Sequence, residues 1–213
     1  AQRLNTKVDD FNKKQVKTLF NLAVESKFID NELKLEVAEA LYPLDIFAAY
    51  VLTKANQRYG QNERTLFTFL ESTGVGAVSS FKTSPNCFYN LVDVYEYISY
   101  NFYTYLQEIN EDSTNWAAIY NAIERVEGLP INSEKINTAI KLVKIIGLLN
   151  IFASASTTID ADFLKTYCSN AVDQDYIADV LATLESAQII RYAKYKSKYI
   201  LFEGTDVDIE AGL

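Results

Sequence analysis

The sequence contains no histidine, no methionine and only two cysteines, Cys87 and Cys168. Without histidine, Ser-His-Asp and Cys-His catalysis and every imidazole-ligated metal centre are excluded within this chain. The two cysteines lie far apart and have no CxxC or histidine partner, so both read as buried thiols. Missing methionine, even at position 1, raises the expectation of a piece of a longer polypeptide whose catalytic half is encoded elsewhere. Long hydrophobic runs are also missing. The longest, 142–152, is interrupted by Lys144 and Asn150 and is shorter than a bilayer-spanning helix. No charged leader with an apolar core opens the sequence, which makes the expected location cytoplasmic, with no membrane partner.

Phosphate-loop chemistry is absent too. No Gly-x-x-x-x-Gly-Lys-Ser/Thr occurs, and Gly74-Val75-Gly76 lacks the third glycine, the following helix and the basic residue that a phosphate cradle requires. The chain is not by itself a P-loop ATPase. Positive charge is in deficit, with 20 Lys and Arg against 28 Asp and Glu and a net charge of -8. General polyanion binding draws its affinity from cations that release condensed counterions, so this balance disfavours DNA as a partner.

What is present is apolar and helical in rhythm. At 213 residues and 49% hydrophobic, the chain is long enough to bury a substantial core and too apolar to be disordered. Helices are predicted over 8–25, 31–41, 43–59 (with Pro43 in its first turn), 62–71 (capped by Asn62), 89–107 and 115–127. Residues 72–86, rich in Gly, Ser and Thr, read as a connection. A shift of pattern near Pro130 divides the sequence into a helical, lid-like subdomain, 1–130, and a second domain, 131–213.

In the second part, helices are predicted over 134–152, 160–169 (capped by Asp160) and from Asp173, where Ile177, Val180, Leu181 and Leu184 form a stripe. Alternation over 189–195 and 198–202 around Lys196-Ser197 predicts a β-hairpin. Three helices followed by a hairpin make a winged helix-turn-helix, giving a mainly α protein that ends in a β-hairpin wing. The helix that would enter a major groove carries Asp173, Asp175, Asp179 and Glu185 and no cation, so phosphate repels it and a protein surface suits it better.

Arg58, Glu63 and Arg64 flank a turn between two apolar helices, where a guanidinium can reach a phosphate supplied by another domain. Arg58 and Arg64 are the nucleotide-sensing candidates; the plainer reading pairs them with Glu63 or a helix end. Arg191, Lys194, Lys196 and Lys198 concentrate positive charge on the hairpin and are the nucleic-acid candidates, with a solvated hairpin as the plainer reading. The acids Asp9-Asp10, Glu111-Asp112, Asp206 and Asp208 read as solvated, since carboxylate catalysis needs an enclosed pair. No catalytic residue and no metal ligand set is expected. Tyr89, Tyr95, Tyr97, Tyr100, Phe102, Tyr103 and Tyr105 form an aromatic segment suited to core packing or a protein interface.

Two stretches carry a family resemblance. Leu41-Tyr42-Pro43-Leu44 and the run from Arg58-Tyr59-Gly60-Gln61-Asn62-Glu63-Arg64 to Thr65-Leu66-Phe67-Thr68-Phe69-Leu70 resemble a segment beyond the P-loop core in large bacterial AAA- or STAND-type ATP-binding proteins, some linked to phage defence. Residues 141–152, followed by Tyr199-Ile200-Leu201-Phe202-Glu203-Gly204-Thr205-Asp206, are similar to that family's winged helix and closing strand. The resemblance implies a noncatalytic segment that transmits nucleotide state. Its partner would be a P-loop nucleotide-binding domain of the same or a partner chain, with ATP and Mg in the parent protein and no cofactor here. A winged-helix histidine often contacts nucleotide in STAND proteins, and that contact has no counterpart here. The alternatives are a winged-helix DNA-binding module acting through the basic wing, and a scaffold similar in layout to PCI-type proteins, which append a winged helix to stacked helices.

Overall fold

A computed structural model describes residues 10–30, 32–60, 69, 76–78, 81, 87–107, 111–172 and 176–202. The described chain is mainly helical and carries one two-stranded antiparallel sheet near its C-terminal end. In order, the helices are α1 (Asp10–Glu25), α2 (Leu35–Ala40), α3 (Ile46–Tyr59), α4 (Leu91–Asn101), α5 (Tyr103–Gln107), α6 (Ser113–Glu127), α7 (Ser133–Phe152), α8 (Ala161–Tyr167) and α9 (Ile177–Ser186). A hairpin of β1 (Ile190–Ala193) and β2 (Lys198–Leu201) follows.

Several boundaries follow directly from capping chemistry. The first amides of a helix have no intrahelical partner, and a side-chain oxygen just before the helix satisfies one of them. Asp160 does this for α8, accepting from Phe163 N at 2.8 Å, and Asn132 does it for α7, accepting from Lys135 N at 2.8 Å. Asn90 and Asp93 form a reciprocal capping box at the start of α4. Other boundaries differ from expectation. The helix expected from Pro43 begins at Ile46, because Asp45 takes the cap, accepting from Ala48 N at 2.8 Å; the Tyr42–Pro43 peptide before it is cis. The single helix expected over 89–107 is interrupted at Phe102, and α8 passes into a π-helical turn, Cys168–Val172. The third helix of the C-terminal part begins at Ile177 behind Tyr176, whose φ is 61°; Asp173 and Asp175 lie outside the described residues. The expected Asn62-capped helix also lies outside them, apart from Phe69, which is fully buried.

Helix α7 is apolar around most of its circumference, and its neighbours explain why. It packs against α3, α4, α6, α9 and β2. Residues before and after Pro130 therefore contribute to one continuous buried cluster. Two aromatic nodes lie in it. Phe47 of α3 meets Phe28, Phe163 and Tyr167 at ring separations of 4.7, 5.4 and 5.2 Å. Tyr59 meets Phe102, Trp116 and Phe152 at 6.0, 6.4 and 5.9 Å.

The α6–α7 crossing is close because α7 offers Gly147 to Ile119. A Cβ on Gly147 would sit 2.4 Å from Ile119 Cγ1, inside contact distance. Alanine favours helix more than glycine does, yet in this buried crossing the clash dominates. Gly147→Ala should destabilise the protein by about 1–3 kcal/mol in urea unfolding. Adding Ile119→Ala should recover part of that loss, a non-additivity that a position away from the crossing would not give.

Candidate functional site

Arg58, the first nucleotide-sensing candidate, lies in the last turn of α3 and is held by groups more than fifty residues away in sequence. Its Nη1 donates to Asp112 Oδ2 at 2.8 Å and its Nε lies 3.2 Å from Glu111 Oε1, while the guanidinium covers the Phe152 ring at 5.2 Å. Tyr59 Oη donates to the same Asp112 oxygen at 2.7 Å, and Trp116 Nε1 donates to Tyr59 Oη at 3.0 Å. Burial opposes the guanidinium charge, but the hydrogen bond and charge of Asp112 outweigh it and hold Arg58 above its ordinary range. Burial also pushes the Tyr59 hydroxyl up. Arg58 is thus part of an internal polar knot. Asp112, expected to be solvated, is buried, because Arg58 and Tyr59 supply the bonds that compensate its desolvation. Arg64 and Glu63 lie outside the described residues.

The basic hairpin divides in two. Its strands pair Ile190 with Leu201 and Tyr192 with Tyr199, and a 3-10 turn, Lys194–Lys196, joins them through Ser197 at φ 52°. Lys194, Tyr195 and Lys196 are exposed, with Tyr195 at 73%. Lys198 is not part of a solvated wing: it is only 7% exposed, and its Nζ donates to Ser154 O at 3.0 Å. The backbone causes this inward turn. Ile159 N donates to Ser197 O at 3.0 Å and Tyr199 N to Ile159 O at 2.8 Å, which pins β2 beside the segment between α7 and α8. Arg191 places its guanidinium 5.7 Å from the Phe202 ring centre. On α9, Asp179 lies 3.5 Å from Lys135 Nζ, so the face expected to be acidic is in part locally paired.

Sequence reasoning missed Asp45. The lone acid between Leu44 and Ile46 is buried, and besides capping α3 it accepts from Tyr167 Oη at 2.8 Å through Oδ2. Tyr167 Oη in turn accepts from Leu91 N at 2.9 Å. One carboxylate thereby ties the start of α3 and the start of α4 to the end of α8. Burial pushes Asp45 up to about 7, against the lowering by the Ala48 amide and the Tyr167 hydroxyl. A carboxyl in that range has the right acidity for proton transfer. The contacts it makes are structural: it caps α3 and accepts from Tyr167.

The aromatic segment splits by burial. Tyr89, Tyr95 and Tyr97 face the core, whereas Tyr100 and Tyr103, beside the break at Phe102, are 64% and 59% exposed. Cys168 is buried, and burial pushes its thiol up to about 12; Cys87, expected to be buried, is half-buried. Among the described residues no three Cys, Asp or Glu side chains converge as metal ligands, and no helix is long and apolar enough to cross a membrane.

Clefts open at the surface among the described residues. One, of about 760 Å³, lies between the α1–α2 connection and Tyr50, with Lys27, Phe28, Leu33 and Ser154 in its wall. Another, of about 460 Å³, lies between the first turn of α6, the C-terminal half of α7 and the hairpin. Comparison with family models, curated proteins and solved structures gives no match.

Proposed function

We propose that this chain is a noncatalytic coupling segment of a larger P-loop ATPase: a helical lid closed by a winged helix, packed against a nucleotide-binding domain. The order α7, a bridge at Ile159, α8, α9 and the β1–β2 hairpin supports the winged-helix reading. The sequence resemblance to AAA- and STAND-type proteins supports the ATPase association.

The observation that carries the coupling role is the connection of α6 to the end of α9 and to Phe202 through Arg125. This α6 side chain donates from Nη2 to Ala187 O at 2.9 Å and Gln188 O at 2.8 Å, and from Nη1 to Phe202 O at 3.4 Å. It thus fastens the end of α9 and Phe202, the residue after β2, to the helical body. A cation at a helix C-terminus satisfies carbonyls that have no intrahelical partner. A displacement of α9 is thereby passed to α6, as a coupling element requires. Because the site is exposed, Arg125→Ala should cost only about 1 kcal/mol of stability. In the parent protein it should reduce the effect of the segment on ATP turnover while leaving the fold intact by circular dichroism. ATP hydrolysis by the isolated chain would refute the proposal, as would a parent reading frame with no P-loop.

A DNA-binding reading is favoured by one observation, the exposed Tyr195 between Lys194 and Lys196 at the hairpin turn. It requires duplex affinity that falls with salt and is lost in Lys194→Glu/Lys196→Glu. The PCI-like scaffold reading draws on exposed Tyr100 and Tyr103, and requires a protein partner lost on their replacement by Ser.

A further inference from the structure

We propose that the cleft between α6, α7 and the hairpin binds a small phosphate-bearing anion held by Lys196 and Lys198. Both lysines line this cleft together with Thr114, Asn115 and Asn150, and no acidic residue lines it. In a chain of net charge -8, that is a local reversal of sign.

The strongest observation is Lys198. An ammonium carries three N–H donors, and burying one requires partners for them. Lys198 is 7% exposed, yet among the described residues its Nζ makes one hydrogen bond, to Ser154 O. Among the described residues neither Lys198 nor Lys196 is in an ion pair; Lys196 lies over the neighbouring Tyr195 ring at 5.3 Å. Burial lowers the affinity of Lys198 for its proton, and the charge of Lys196 lowers it further, as expected of two cations that share a cleft without an anion.

The other wall adds donors. Asp112 is the residue before α6, but its carboxylate is committed to Arg58 and Tyr59 and makes no side-chain cap. The first turn of α6, where Thr114 and Asn115 line the cleft, is therefore left without the carboxylate that would compete with an incoming anion. Two lysines call for two negative charges. A phosphate near neutral pH supplies about two, with three acceptor oxygens, where a monocarboxylate supplies one. The volume, about 460 Å³, admits a phosphate with a small organic group or a second phosphate.

The test is calorimetric titration of the full chain with pyrophosphate at physiological salt, with inorganic phosphate and succinate as parallel arms. Expected is one site per chain that prefers pyrophosphate over succinate, with affinity reduced at least tenfold in Lys196→Glu and in Lys198→Gln. Lys194→Glu, on the same turn but outside the cleft, should stay within twofold. Lys196 is exposed, so its variant keeps the fold; thermal unfolding of each variant verifies this, and Lys196→Glu alone decides the matter if Lys198→Gln fails to fold. No heat of binding at millimolar pyrophosphate would overturn the proposal. So would succinate binding as tightly, or an equal loss in Lys194→Glu, which would mark diffuse attraction to the hairpin as for a nucleic acid. None of these outcomes bears on ATP turnover or on Arg125, so this site and the coupling role stand or fall separately.

Discussion

Replacing Asp45 with alanine should destabilise the protein by about 3 kcal/mol or more, combining a lost helix cap with a buried tyrosine hydroxyl left without its acceptor. The residue is 2% exposed, caps α3 through Ala48 N and accepts from Tyr167 Oη, so bulk solvent has little access to take over either role. Chemical unfolding of the wild type and the variant measures the difference. The same residue carries a pH signature. Its pKa is about 7 in the folded chain, against about 3.9 for an unfolded aspartate. The folded state thus holds a proton that the unfolded state releases, so this contribution is fully present below about pH 4 and is lost as pH rises toward 7. The span corresponds to about 4 kcal/mol. Asp45→Asn, which keeps an oxygen for Ala48 N but cannot ionise, should flatten this component. The stability difference between the variant and the wild type should therefore shift in favour of the variant between pH 5 and pH 8. A difference that does not change with pH would show that Asp45 does not titrate in the folded chain.

The second large effect is expected at Asp112. Removing one partner of a buried ion pair leaves the other charge uncompensated. Arg58 keeps 32% of its side chain exposed, so solvent offsets part of the loss, and Asp112→Ala should cost about 2–4 kcal/mol. Asp112→Asn retains an acceptor for Tyr59 Oη and Arg58 and should lose less than half as much. The single tryptophan reports on the knot directly, since Trp116 is 1% exposed and donates to Tyr59. Its emission should move to longer wavelength in Asp112→Ala under native conditions. An unchanged spectrum and unchanged stability would mean that the Arg58 contacts contribute nothing and that this guanidinium is free to serve a phosphate.

The sequence made the helices legible where local chemistry and burial agree. Helix α7 shows Val143, Ile146 and Leu149 inward in helical spacing, with Ile136 and Ile140, expected inward too, half-buried, and Asp160 announces α8 because a cap bonds only three residues ahead. The hairpin was visible in its alternation and in the turn at Lys196-Ser197. The polar interactions were not legible, because their partners are remote in sequence. Asp112 looks like half of a solvated acidic pair until Arg58 is brought to it across 54 positions, and Asp45 is silent until Tyr167 arrives across 122. Lys198 reads as one more wing cation because its inward turn depends on pairing with Ile159, which no local pattern encodes. The break at Phe102 was likewise hidden, since the aromatic residues on either side favour helix about equally.

Helix α7 is shared by the helical body and the hairpin end, and Arg125 of α6 bonds the end of α9 and Phe202 from outside. The proposed coupling requires that α9 and the hairpin respond to a nucleotide bound elsewhere and that the response reach α6. Amide hydrogen exchange of the parent protein, compared with ATP and with ADP bound, tests this most directly. The account predicts nucleotide-dependent protection in α9, the hairpin and α6 together, with the α6 component lost in Arg125→Ala. Identical exchange in the two nucleotide states across these elements would contradict it.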